Sequence, residues 1–204
     1  MKALILIDIQ NDFVPGGALA VPDGDAIVPI VNELQKRFEL VVATQDWHPP
    51  DHASFAANHA GRKPGETIQL NGLQQILWPV HCVQNTRGAE FVQTLDRSRI
   101  KQIFQKGTNP KIDSYSGFFD NAHLKATGLE RYLASKAVTH IYIAGLATDY
   151  CVKFTALDAL PLGFKTYVVE DACRGVNLKP NDVVDALSQM EEAGVQRIKS
   201  DSLL

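Results

Sequence analysis

ALILI at residues 3–7 and LVVAT at residues 40–44 are short apolar runs of strand length, and between them Ile27, Ile30, Val31 and Leu34 recur at helical spacing. Together these predict a β-α-β unit. The same alternation returns downstream. Leu129, Tyr132 and Leu133 mark a helix before a strand at Ile141–Ala144, which ends at Gly145. Val152–Leu160 then reads as a helix and Thr166–Glu170 as a strand rich in β-branched and aromatic residues. Val183, Val184, Leu187 and Met190 mark a further helix before Val195–Ile198. Strands that are apolar throughout, separated by helices, imply a parallel sheet covered on both faces, an α/β fold. Ligands of such sheets collect outside the carboxyl ends of the strands. The stretch from Asp46 to Arg99 is rich in Pro, Gly, Asn and His and has little period, so it is expected to form loops and short helices over that edge. No internal repeat and no Gly/Ser/Pro linker divides the 204 residues, which predicts one domain over 1–204.

Composition narrows the partners. Hydrophobic residues make up 45% of the chain and charged residues 21%, too apolar for disorder. The net charge of -3 comes without any block of like charges, so no footprint for nucleic acid or an anionic membrane is present and a small-molecule partner is expected. The apolar start before Asp8 is too short for a signal peptide or a spanning helix. Cys82, Cys151 and Cys173 form an odd set without C-x-x-C spacing, which fits a reducing cytoplasm better than a disulfide framework.

Two constellations carry chemistry. Asp8 follows ALILI, Lys106 follows IKQIFQ, and Cys151 lies a few residues after IYIAG, so parallel strands would bring the three together. Singly, each has a bland reading as a cap, a solvated lysine or a buried small hydrophobe. Jointly they resemble a nucleophile with its base and a cation. A thiol reacts as the thiolate. Cys151 is expected to open the helix CVKFTALDAL, whose positive end would favour a thiolate, with Asp8 taking the proton and Lys106 holding developing negative charge. The second constellation is DWHPPDH, with Asp46, His48 and His52, followed by His81 in WPVHC. Two imidazoles and a carboxylate with open positions suit one divalent transition metal, zinc, iron(II) or manganese(II). Phe13, Trp78 and Tyr115 lie near these segments and could hold a flat heteroaromatic ring, although each alone reads equally well as a core aromatic.

DIQNDFVPGGAL, TQDWHPPDHASF, WPVHCVQNTRGAEF, QKGTNPKIDSYSGF, GLATDYCVKFTALDA and VVEDACRGV, in this order from the first strand to about Asn177, resemble the nicotinamidase/pyrazinamidase branch of the isochorismatase-like cysteine hydrolases. The resemblance implies a three-layer sandwich with a central six-stranded parallel sheet flanked by helices. It implies a triad of Asp8, Lys106 and Cys151, a metal on Asp46, His48 and His81, and a cis peptide between Leu146 and Ala147. It further implies an oxyanion hole from the Ala147 and Cys151 N–H groups. His52 stays outside the ligand set, because the matching histidine is a ligand in some members only. The implied activity is hydrolysis of nicotinamide to nicotinate and ammonia through a cysteine thioester, in NAD salvage, with pyrazinamide a further substrate. Whether the chain forms a homo-oligomer is left open.

Two competing readings weigh less. Isochorismate-type or ureido substrates would keep the fold, but those branches generally lack D-W-H and the later histidine. A nucleotide-binding module would need G-x-G-x-x-G or G-x-x-x-x-G-K-[ST], and neither occurs.

Overall fold

Every apolar run of strand length in the βα alternation closes into one sheet. The computed structural model, which describes residues 1–204, has strands β1 (Lys2–Ile7), β2 (Leu40–Asp46), β5 (Ile100–Lys106), β6 (His140–Leu146), β7 (Lys165–Arg174) and β8 (Gln196–Ile198), ordered β5-β2-β1-β6-β7-β8. All five pairings are parallel. The helices are α1 (Val28–Gln35), α2 (Leu129–Ser135), α3 (Lys153–Ala159) and α4 (Asp182–Ala193).

The strand period of two sorts side chains into two cores. Leu4 and Leu6 of β1 point to one face, where they join Val28, Val31 and Leu34 of α1. Ala3, Ile5 and Ile7 point to the other, against Leu129 and Leu133 of α2, Ala156 and Ala159 of α3, and Leu187 and Met190 of α4. These β1 side chains are fully buried on both faces, so the strand reads as apolar throughout rather than alternating. A three-layer α/β sandwich results.

The order places the chain's reversal between β1 and β6: β2 and β5 extend to one side of β1, β7 and β8 to the other side of β6. A crevice opens at such a switch point, outside the carboxyl ends of the strands.

Three local expectations differ from the structure. β2 runs two residues beyond Thr44 to Asp46, and β7 runs on to Arg174, because each has a neighbouring strand to pair with there. The Asp46–Arg99 stretch, expected to be loops and short helices, also contains an antiparallel hairpin of β3 (Thr67–Leu70) and β4 (Leu73–Ile76). Its two-residue turn is Asn71-Gly72, both with positive φ (52° and 83°), the turn chemistry that matches strand twist. No helix is long and apolar enough to cross a membrane.

Candidate active site

Strand ends deliver the polar residues. Asp46 and Lys106 are the last residues of β2 and β5 and stand opposite one another in the register, while Asp8 follows β1 directly with φ 47°. Cys151 comes after β6, but not at the start of an α-helix as the sequence suggests. It lies in one turn of π-helix, Thr148–Val152, closed by the Val152 N–H donating to the Ala147 carbonyl at 3.1 Å, and α3 begins only at Lys153. The peptide between Leu146 and Ala147 is cis.

Lys106 is the hub of this cluster. Its Nζ, fully buried, lies 2.9 Å from Asp8 Oδ2 in an ion pair, donates to Asp46 Oδ1, and reaches the Ser114 carbonyl at 2.9 Å and Cys151 Sγ at 3.4 Å. Burial alone would lower its pKa, but the Asp46 and Asp8 carboxylates outweigh that and hold it well above the ordinary lysine range. The two carboxylates part company. Asp8, fully buried, is raised by its burial despite Lys106, with Asp46 adding to the rise and the Thr44 hydroxyl, 2.6 Å from Oδ1, opposing it. Asp46 is also desolvated, yet Lys106 and then His48 hold it well below the usual carboxylate range. Two acids pushed apart in this way suit a division in which one stays anionic and the other carries a proton. Burial also pushes the Cys151 thiol well up, against the pull of Lys106. Desolvation thus opposes the thiolate that Lys106 favours, so a base beside the thiol is needed for it to ionise, as the sequence reading expects of Asp8.

The second cluster shares Asp46. Ligand atoms of Asp46, His48 and His81 lie within 4.8 Å of one another. His48 Nδ1 meets the Gly107 carbonyl at 3.0 Å and His81 Nδ1 the Pro79 carbonyl at 2.8 Å. A carbonyl only accepts, so each Nδ1 carries a proton, which in the neutral ring leaves the lone pair on Nε2. Those Nε2 atoms lie 3.6 Å and 3.9 Å from Asp46 Oδ2. Burial, followed by His48, lowers His81 to about 4, so its ring is neutral at pH 7 and ready to coordinate. Gly107 makes the His48 contact possible: φ is +65°, and a Cβ there would strike the His48 ring. This donor set fits a divalent transition metal. His52 differs. Its Nδ1 lies 2.7 Å from the Ser54 hydroxyl and 3.2 Å from the Ser54 N–H, and its Nε2 is buried without a partner.

A narrow cleft joins the clusters, lined among others by Phe13, Trp78, His81, Ala147 and Cys151. The Phe13 ring packs edge-on to His81 at 5.6 Å between centroids. Tyr115 also lines the cleft, and its hydroxyl accepts from Trp78 Nε1 at 3.2 Å and Gln75 Nε2 at 3.1 Å. The Ala147 N–H donates to no protein acceptor. Of the site residues expected from the sequence, Phe13, Asp46, Trp78, His81, Tyr115, Ala147 and Cys151 line this cleft, while Asp8, Lys106 and His48 do not line it and stand against Asp46 or Lys106. Leu19, Asp113, Tyr150 and Val176 line it as well and were not singled out in the sequence. All four stand inside the quoted motifs, Tyr150 directly before Cys151 and Asp113 directly before Ser114, so the signal was there.

Known proteins resemble the chain along nearly its whole length. The isochorismatase domain family matches residues 2–202. A nicotinamidase of Escherichia coli (strain K12) is 51% identical over 197 residues, covering 95% of this chain and 92% of the relative. The solved nicotinamidase/pyrazinamidase of Acinetobacter baumanii superposes with a TM-score of 0.97 at 49% identity, covering 100% of this chain and 98% of that one. The pyrazinamidase of Pyrococcus horikoshii, solved in complex with zinc, gives 0.79 at 42% identity, covering 97% and 98%.

Proposed function

Because the chain belongs to the isochorismatase domain family, we propose that its cleft is the active site of a metal-dependent amidohydrolase built as one domain over residues 1–204. The chain hydrolyses nicotinamide to nicotinate and ammonia, a step of NAD salvage, and pyrazinamide, an isosteric ring amide, is a further substrate. Its three cysteines are all free, which accords with a reducing cytoplasm. The observation that carries the mechanism is the Lys106 ammonium held between Asp8 and Cys151.

Phe13, Trp78 and Tyr115 enclose the pyridine ring. Asp46, His48 and His81 would hold one divalent transition metal, zinc, iron(II) or manganese(II), which when bound would supply a Lewis acid for the ring nitrogen. Asp8 takes the proton from the Cys151 thiol, and the sulfur adds to the carboxamide carbon. The N–H groups of Ala147 and Cys151, with Lys106, stabilise the oxyanion. The C–N bond breaks as Asp8 returns its proton to the leaving nitrogen, giving ammonia and a thioester. Asp8, again a carboxylate, then takes a proton from water. The hydroxide adds to the thioester carbon, the C–S bond breaks as Asp8 passes that proton to the Cys151 sulfur, and the nicotinic acid released loses its proton to water as nicotinate.

Ammonia release from a panel of aromatic and aliphatic amides, with and without chelator, tests this reading. Turnover of nicotinamide and pyrazinamide, no turnover of aliphatic amides and loss on chelation are expected. Absence of ammonia from every aromatic amide would overturn it.

A further inference from the structure

Asp149 stands two residues before Cys151 in the same π turn, and its carboxylate is buried without a cationic partner. Both oxygens are used by main chain from elsewhere. Oδ1 accepts the Val176 N–H at 2.9 Å and Oδ2 the Asn177 N–H at 2.8 Å. The receiving segment follows β7, whose Cys173 and Arg174 pair with Gly145 and Leu146 at the end of β6. One carboxylate therefore ties together the loops that leave two neighbouring strands. Val176 lines the cleft that Cys151 and Ala147 also line. A second anchor holds the far end of the segment, where Asn177, in left-handed conformation, accepts the Val183 N–H of α4 at 3.0 Å.

From these contacts we propose that Asp149 is a positioning residue: it fixes Val176 as a wall of the substrate cleft, and this clamp limits the size of ring the site accepts. The inference rests on the amidohydrolase reading of the cleft. Two successive amides need two acceptor atoms in one plane, which a carboxylate supplies and an amide does not. Asparagine would turn an NH₂ toward one of the two N–H groups, so Asp149→Asn breaks the clamp with almost no change in volume.

The test compares wild type, Asp149→Asn and Val176→Ala on nicotinamide and on nicotinamides carrying a methyl group at each free ring carbon in turn. In both variants KM for nicotinamide rises roughly 5- to 20-fold while kcat changes by less than about threefold, the pattern of lost binding rather than lost chemistry. At least one methylated amide gains about tenfold or more in kcat/KM relative to nicotinamide, the scale at which a pocket reads one carbon. A folded Asp149→Asn protein with unchanged KM and selectivity, or one that loses kcat alone, overturns the proposal. Should Asp149→Asn fail to fold, amide hydrogen exchange of the wild type decides: Val176 and Asn177 exchange slowly if clamped, and exchange at free-loop rates overturns the clamp. Unchanged selectivity in Val176→Ala overturns the wall. Failure of the wild type to turn over nicotinamide would instead sink the proposed function, leaving the exchange measurement to judge the clamp.

Discussion

The two halves of the site are built in different ways. Asp8, Lys106 and Cys151 are delivered by the ends of three parallel strands or the turn directly after one, and are joined through a single ammonium. His48 and His81 come from loops, and what aims them is a backbone carbonyl on each Nδ1. Strand ends place the reacting atoms, whereas the loops need their own second hydrogen bond to place a lone pair. Asp46 belongs to both halves. It ends β2, pairs with Lys106, and turns its other oxygen toward the imidazoles. The two clusters are thus separate at Cys151, His48 and His81 and share Asp46.

Removing the nucleophile should give the largest effect. Cys151→Ala is expected to lower ammonia release from nicotinamide by roughly 10⁴-fold or more while ring binding, followed by calorimetry, stays largely intact. Near-native turnover would end the nucleophile assignment.

A crossed pair of substitutions probes the comparison itself. Asp8→Asn should cost roughly 10²- to 10⁴-fold in turnover, keep its metal, and slow alkylation of Cys151 near neutral pH, because the buried thiol loses its proton acceptor. His48→Ala should lose metal and substrate affinity yet leave Cys151 open to alkylation, with the labelled cysteine identified by peptide mapping. Loss of metal in Asp8→Asn, or full turnover in His48→Ala, would dissolve the division. Asp8 also sets a pH limb. It accepts a proton only as the carboxylate, and burial raises its pKa, so kcat/KM should fall with decreasing pH at a higher pH than an ordinary aspartate at about 3.9 would give. A limb at or below that value would remove Asp8 as the base.

A subtler change tests how the loop half is aimed. Gly107→Ala would push a methyl group into the His48 ring from a left-handed backbone position. Metal content should drop several-fold, in the range of about 10- to 100-fold in affinity that supporting contacts around a metal site carry, while alkylation of Cys151 is preserved. Unchanged metal affinity would show that His48 is held by something other than its contact with Gly107.

What was legible in the sequence follows the same division. Asp8, Lys106 and Cys151 could be read because apolar runs mark strands and polar residues at their ends meet in a parallel sheet. The histidines could be read as a group from D-x-H, but the partners of the His52 ring could not, since they depend on Ser54 folding back onto Nδ1. The desolvation of Cys151 was likewise out of reach: helix end and lysine are visible in the chain, whereas burial is a property of the packed site. Asp113 and Val176 reach the cleft through loops whose course is set by partners distant in sequence, as the bond from Asp149 to the Val176 N–H illustrates.

The β3–β4 hairpin is a different kind of omission, because its signal was local. TIQL and LQQI flank Asn71-Gly72, the dipeptide that most strongly marks a two-residue turn, but neither flank is apolar enough to stand out in a region dominated by Pro, Gly and His. The smallest expected effect lies here. A Cβ at Gly72 meets no atom within 4 Å, so Gly72→Ala is opposed only by its φ of +83°. The penalty should be about 1 kcal/mol, offset in small part by the lower entropy of the unfolded chain. For a chain of this length that shifts Tm by roughly 2–4 °C, with kcat/KM on nicotinamide unchanged because the turn touches neither half of the site. A stability loss several times larger would mean that the hairpin is coupled to the sheet more tightly than its own pairing implies, and a change in kcat/KM would draw this loop into the division between strand-delivered and loop-delivered residues.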